Sequence, residues 1–459
     1  MIGEEIYGKL VNQFILTKNI NLVPHQWDTK QIHGWVLGHH FNLPIVELVC
    51  KKVEATLGFI IGYPVFDSAM LSDYYYLSGD EPDLDKMIED EIFKKLSGRF
   101  LCIYITKKTQ RIYLDATGSL AALFSAQYGC VCSSTAVLGL TNSSSSFNDY
   151  VKQHQLQWLF FGKTQFGHIR RIIPNHYLDL ENWMLHRHYP KPNQFQHTVG
   201  LKESIQIISD EIKKMGTALS AKGLYMSLTA GADCRLVMAS LRPVVNQITF
   251  INNPINFNKM DEAVAGELIE RFNLRHLSLN GVRAATPTEV SVFAQILGYT
   301  NSTLRELPES VDVLNPQGYH ITGVNGELAK GKLYNEGDFE NTSAFTIEDL
   351  LLRFGVTSNS ELLEDAKMQL SPLIGNFTNF QILDLILIEQ FFGCLSGPET
   401  YPYDAFTIPS IHAFSGRILI ETIIGLDSAY KFRKRLTVDA CKQLWPDLLQ
   451  VEINGKKYD

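Results

Sequence analysis

Apolar residues follow two rhythms along this chain, and the change falls near residue 195. In the first half they form short runs closed by turn residues. Leu57-Gly-Phe-Ile-Ile-Gly-Tyr-Pro64 and Phe100-Leu-Cys-Ile-Tyr-Ile-Thr106 are two such runs, and Arg111–Asp115 and Gly129–Ser134 are shorter ones. Runs of this length and punctuation predict strands and a sheet-rich domain. Ser143–Ser146 reads as a surface loop within it, and the polar, twice-prolined stretch Pro190–Val199 as the boundary.

Past that boundary the pattern alternates. Glu203–Met215 has the spacing of an amphipathic helix, Leu224–Leu228 is a buried strand, and Asp233–Leu241 is a helix. Strand Gln247–Ile251, helix Asp261–Phe272 and strand Arg275–Leu279 repeat the order. Thr286-Pro-Thr-Glu289 places Pro at a first helical position and Glu where it closes a capping box, so another helix begins there. Strand–helix repetition predicts an α/β fold with a doubly wound parallel sheet. Helices Thr346–Phe354 and Glu361–Leu370 follow, the second with a capping box at Ser358–Glu361, and the C-terminal part reads as largely helical. Phe380–Leu395 is apolar but carries Asp384 and Glu389, which predicts a buried helix.

A chain of 459 residues exceeds one ordinary core, so two domains are expected, 1–192 and 200–459. A net charge of -8 with no long basic stretch argues against a nucleic-acid surface. Lys431–Arg435 reads as a solvated helix face. Seven dispersed Cys without Cys-x-x-Cys spacing fit a reducing compartment. No signal pattern opens the chain and no uncharged run is long enough to cross a bilayer, so a cytoplasmic location without membrane contact is expected. His25, His33, His39 and His40 lack metal-ligand spacing and are read as structural, and Cys130-Val-Cys132 as a same-face strand pair.

The chemistry concentrates in Ser227-Leu-Thr-Ala-Gly-Ala-Asp-Cys-Arg235. A small-residue turn between a buried strand and a helix lets backbone N–H groups converge on phosphate, with the helix dipole behind them. On parallel sheets ligands sit at the carboxyl ends of strands, where Thr229 falls.

Thr229-Ala-Gly-Ala-Asp-Cys234 resembles the pyrophosphate loop Ser-Gly-Gly-x-Asp-Ser of the asparagine synthetase-like family. Gly98-Arg-Phe100, Leu114-Asp-Ala-Thr-Gly118, Ser133-Ser134 and Phe166–Leu178 resemble, in order, segments of that family's N-terminal glutaminase-like domain. The resemblance implies an Ntn-hydrolase-like N-terminal domain and a PP-loop synthetase domain. It also implies ATP and Mg2+ as cofactors, and a small-molecule or peptide carboxylate activated as an acyl-adenylate, then captured by an amine or ammonia with release of AMP and pyrophosphate. Leu228, Thr229, Ala230, Gly231, Ala232, Asp233, Cys234 and Gly323 would hold the nucleotide, with Asp233 on the metal.

Thr322-Gly-Val-Asn-Gly-Glu-Leu-Ala-Lys-Gly331 resembles the family's second acidic motif. Val324 stands nearest the place of a lost metal-binding Asp, so Glu327 is the remaining candidate, either as metal ligand or as the group that orients a base. Lys456 lies where β-lactam synthetases keep a catalytic Lys. Asp261-Glu262 and His276 match family positions but also read as cap and packing residues. Lys330 and Lys332 read as surface lysines. Ala230 and Cys234 depart from the family loop, and Ala230 is costly if its φ must be positive. Ile2 stands where glutaminases carry their Cys, so no use of glutamine is expected. Intramolecular closure of a β-lactam or lasso-peptide precursor, a retired nucleotide-binding homologue and a homo-oligomer are left open.

Overall fold

The computed structural model describes residues 8–78, 83–140, 158–195, 199–252, 258–279, 281–297, 305–308, 314–356 and 360–458. The Ser143–Ser146 run and most of the capping box at Ser358–Glu361 lie outside them.

Two largely antiparallel sheets, of six and eight strands, occupy the N-terminal half. Thr56–Phe66 and Leu96–Ile105 pair along the centre of the larger sheet. They are apolar almost throughout because both faces are covered. One face packs on the smaller sheet through Phe59, Ile61, Leu101 and Ile103, and the other on Ile88, Ile92 and Phe93. Gly98 has φ +102°, and a Cβ there would sit 2.2 Å from the Tyr63 carbonyl oxygen, so only glycine fits this crossing. Asp115 closes the following turn by accepting from the N–H groups of Phe100, Thr117, Ser119 and Leu120 and from the Thr117 hydroxyl.

The C-terminal half is built on five parallel strands: β1 (Leu224–Ser227), β2 (Ile248–Asn252), β3 (His276–Ser278), β4 (Tyr319–Thr322) and β5 (Ser410–His412), in spatial order β3-β2-β1-β4-β5. Strand order reverses between β1 and β4. Side chains alternate across the sheet. Leu224, Met226, Phe250, Ile321 and Ile411 enter the main core, which also takes in α1 (Leu201–Ser220), α2 (Ala232–Ser240) and α3 (Lys259–Phe272). The opposite face carries a small cluster of Ile251, Leu279, Leu314 and Ile408 beside an open cavity, and so differs from the helix layer expected there. The structure is thus mixed α/β, sheet-rich at the N-terminal end and parallel at the C-terminal end.

The halves share one continuous core, since Tyr63, Trp158 and Phe161 belong to the same apolar cluster as Ile205 and Leu387. Buried ion pairs cross the junction. Arg99 donates to Asp404 at 2.6 Å with both side chains fully buried, and Asn12 donates to the same carboxylate. Arg187 pairs with Glu389 at 2.5 Å.

Asn379–Asp404 is long and apolar enough to cross a membrane by length and composition, yet most of it is buried within the fold. Its acids explain why: Glu389 meets Arg187, and Asp384 meets Lys431 and the Tyr334 hydroxyl. Lys431 is therefore fully buried, which corrects the reading of Lys431–Arg435 as solvated; only Arg433, Lys434 and Arg435 face water. The largely helical C-terminal part also contributes β5, a strand that its Ser-Ile-His sequence does not announce.

Candidate functional site

The segments after β1 and after β4 meet where the strand order reverses. Gly231 caps α2 with φ -70° and ψ 151° and supplies no side-chain hydrogen bond, so the first-turn N–H groups of the helix keep no side-chain cap. The Thr229 hydroxyl accepts from the Gly231 N–H at 3.2 Å. Ala230 is buried, lacks positive φ and is held on both sides: its N–H donates to Asp261 at 2.9 Å and its carbonyl accepts from the Asn454 N–H at 2.9 Å. The substitution of glycine by Ala230 is therefore unstrained, and Asp261 combines helix capping with support of the loop. Leu228 is fully buried, and its N–H donates to the Ile251 carbonyl. Cys234 lies buried with its thiol on the Ser227 carbonyl, and burial raises its pKa.

Asp233, in the first turn of α2, faces the second segment. A Cβ on Gly323 would lie 3.0 Å from the Asp233 Cβ, and one on Gly326 only 2.5 Å from its Cγ. Glycine at both places lets the two segments touch. Lys330 then reaches back and donates to Asp233 Oδ2 at 2.6 Å. Burial pushes the Asp233 carboxyl above its usual range, Lys330 opposes that, and the nearby Glu327 charge adds to it.

Glu327 is half-buried in the short helical turn Gly326–Lys330. Among the described residues there is no group of three or more His, Cys, Asp or Glu able to hold a metal, so Asp233 and Glu327 amount to two carboxylates and no more. The Lys330 ammonium takes the Asp233 carboxylate. Glu327 stands near enough for its charge to act on the same carboxylate. Lys330 was passed over as a surface lysine, because nothing in its local sequence reveals the meeting of two segments 97 positions apart.

Lys456 is exposed, on a turn closed by the Ile453 and Lys456 backbone groups. That turn is brought to the loop by Asn454 and by Arg235, whose guanidinium donates to the carbonyls of Leu448, Val451 and Glu452. Lys456 thus stands near the loop without touching Asp233. His276 is exposed and takes no part.

Beyond Thr322 and Val324 the sheet's open face forms a cavity of about 230 Å³. His320, on its wall, shares hydrogen bonds with the hydroxyls of Ser227 (2.9 Å) and Ser410 (3.5 Å), and burial lowers its pKa to about 4. His412 lies next to it on β5, lowered to about 3 by burial and by the charge of Arg99. Sequence reading missed both, since isolated histidines in short strands carry no spacing signal.

No family model matches the chain. No curated protein matches it either. Among solved structures, one similar chain is described as the allosteric regulatory enzyme of purine biosynthesis, at 10% identity over 69% of this chain and 71% of that one, with a TM-score of 0.23. At that TM-score the likeness carries no argument.

Proposed function

We propose that the chain is an ATP-dependent carbon–nitrogen ligase of the asparagine synthetase-like type, with an Ntn-like N-terminal domain and a PP-loop synthetase domain. The observation that carries the reading is the contact of Asp233 with Gly323, Gly326 and Lys330 where the strand order reverses, the place at which such sheets bind their ligands. The uncapped N-terminus of α2 and the Thr229 hydroxyl offer donors to phosphate oxygens, and the Lys330 ammonium, held by Asp233, stands beside them. ATP would supply the leaving pyrophosphate when a carboxylate displaces it, and an amine or ammonia would then take the acyl group and release AMP. Gly323 and Gly326 keep the phosphate side close, while the cavity past Thr322 holds the acyl group away from water.

Glutamine is not the nitrogen source in this reading. All seven cysteines are buried, so no thiol is presented as a nucleophile. The Lys330–Asp233 pair also favours a second reading, a homologue that binds nucleotide and turns nothing over. Pyrophosphate release decides between them. Release from ATP that depends on added carboxylic acids, and is lost in Asp233→Ala, supports the ligase. ATP binding with no release across a broad panel of acids and amines supports the second reading.

A further inference from the structure

The cavity past Thr322 has a chemical bias that the nucleotide loop does not explain. Its floor is apolar, built from Ile251, Leu279, Leu314 and Ile408, with Tyr403 at the side and Val324 at the rim. No Lys or Arg lines it among the described residues, and Glu399 is its one charged side chain. An anion buried here would meet low dielectric and a carboxylate, with no Lys or Arg in the lining to offset its desolvation.

His412 is among the polar groups of the cavity wall. It is 4% exposed, and its Nδ1 lies 3.3 Å from the Asn325 amide nitrogen; with that amide donating, a neutral ring carries its proton on Nε2. Nε2 has no partner among the described residues. A donor open to the cavity favours an oxygen acceptor placed against it.

We propose that this cavity binds the uncharged, largely apolar body of a small molecule that presents one acceptor oxygen to His412, and that it excludes a second carboxylate. Only the identification of that molecule as the acyl substrate rests on the ligase reading; binding itself needs no nucleotide. Val324 and Thr322 separate the cavity from Gly323 and Asp233, so the reacting carboxylate would lie outside it and the body inside.

The test uses the full chain without ATP, titrated by calorimetry and saturation-transfer NMR with hexanamide and with adipate, the dicarboxylate of equal chain length. Hexanamide is expected to bind, and adipate at least about tenfold more weakly, whichever way it enters. Val324→Trp, at a site already 41% exposed and thus tolerant of a larger side chain, should fill the mouth and abolish hexanamide binding. His412→Phe should weaken it by about tenfold through loss of the donor. Adipate binding as tightly as hexanamide, hexanamide binding unchanged by Val324→Trp, or no hexanamide binding by the folded wild type would each overturn the proposal. None of these results bears on ATP at the loop, which is titrated separately.

Discussion

Replacing Lys330 by Gln leaves the Asp233 carboxylate against Gly326 without its cation. The two side chains keep only 26% and 22% of their surface, so the pair is mostly shielded from water. Removing one partner of a fully buried pair costs about 3–5 kcal/mol; with this residual exposure the expected loss is about 1–3 kcal/mol. The pH dependence has a definite sign. Burial already raises the folded Asp233 pKa, so the folded state binds more protons than the unfolded one between the two values, and stability falls as pH rises through that window. Lys330 opposes the rise, so its removal widens the window upward. The destabilisation by Lys330→Gln should therefore be small at acid pH, where the carboxyl is protonated, and grow towards neutral pH. Urea unfolding of wild type, Lys330→Gln, Asp233→Asn and the double variant reads this directly, and the cycle should give a coupling of about 1–3 kcal/mol at neutral pH. A coupling near zero, or a Lys330→Gln loss independent of pH, would refute the reasoning.

Asp404→Ala should cost about 3–5 kcal/mol in chemical denaturation, because it strands the fully buried Arg99 guanidinium at the junction of the two halves. Gly326→Ala would place a methyl 2.5 Å from the Asp233 Cγ; the expected result is about 1–3 kcal/mol of strain with ATP affinity lowered by roughly tenfold, read by denaturation and by nucleotide titration. Incubation with glutamine should release no ammonia above the rate without protein, and a coupled ammonia assay checks this against the burial of every cysteine.

What could be read in the sequence was what local chemistry dictates. Leu224–Leu228 followed by small residues and a helix was legible because a buried strand, an extended N-cap and a helix start are each short-range choices, and Thr286–Glu289 closes its capping box as its spacing requires. Asp115 follows the same logic, since every hydrogen bond it accepts comes from within 15 residues. The misses are long-range. Tyr319–Thr322 and Ser410–His412 are short strands whose second faces line a cavity, so their polar residues hide the strand pattern. Lys330 and Lys431 looked like ordinary surface lysines because their carboxylates arrive from 97 and 47 positions away. Sequence likewise places Asp233 and Glu327 in suitable motifs but cannot show that the fold brings the Lys330 ammonium to the first of them.

The central claim is that the loop around Asp233 holds a nucleotide triphosphate with Lys330 as its built-in cation. Calorimetric titration of the full chain with ATP, with and without Mg2+, beside Asp233→Ala and Lys330→Gln tests it most directly. The account predicts binding by the wild type that persists when Mg2+ is chelated and is weakened in both variants. A folded wild type that binds no ATP in either condition, or that binds it equally well in both variants, would contradict it.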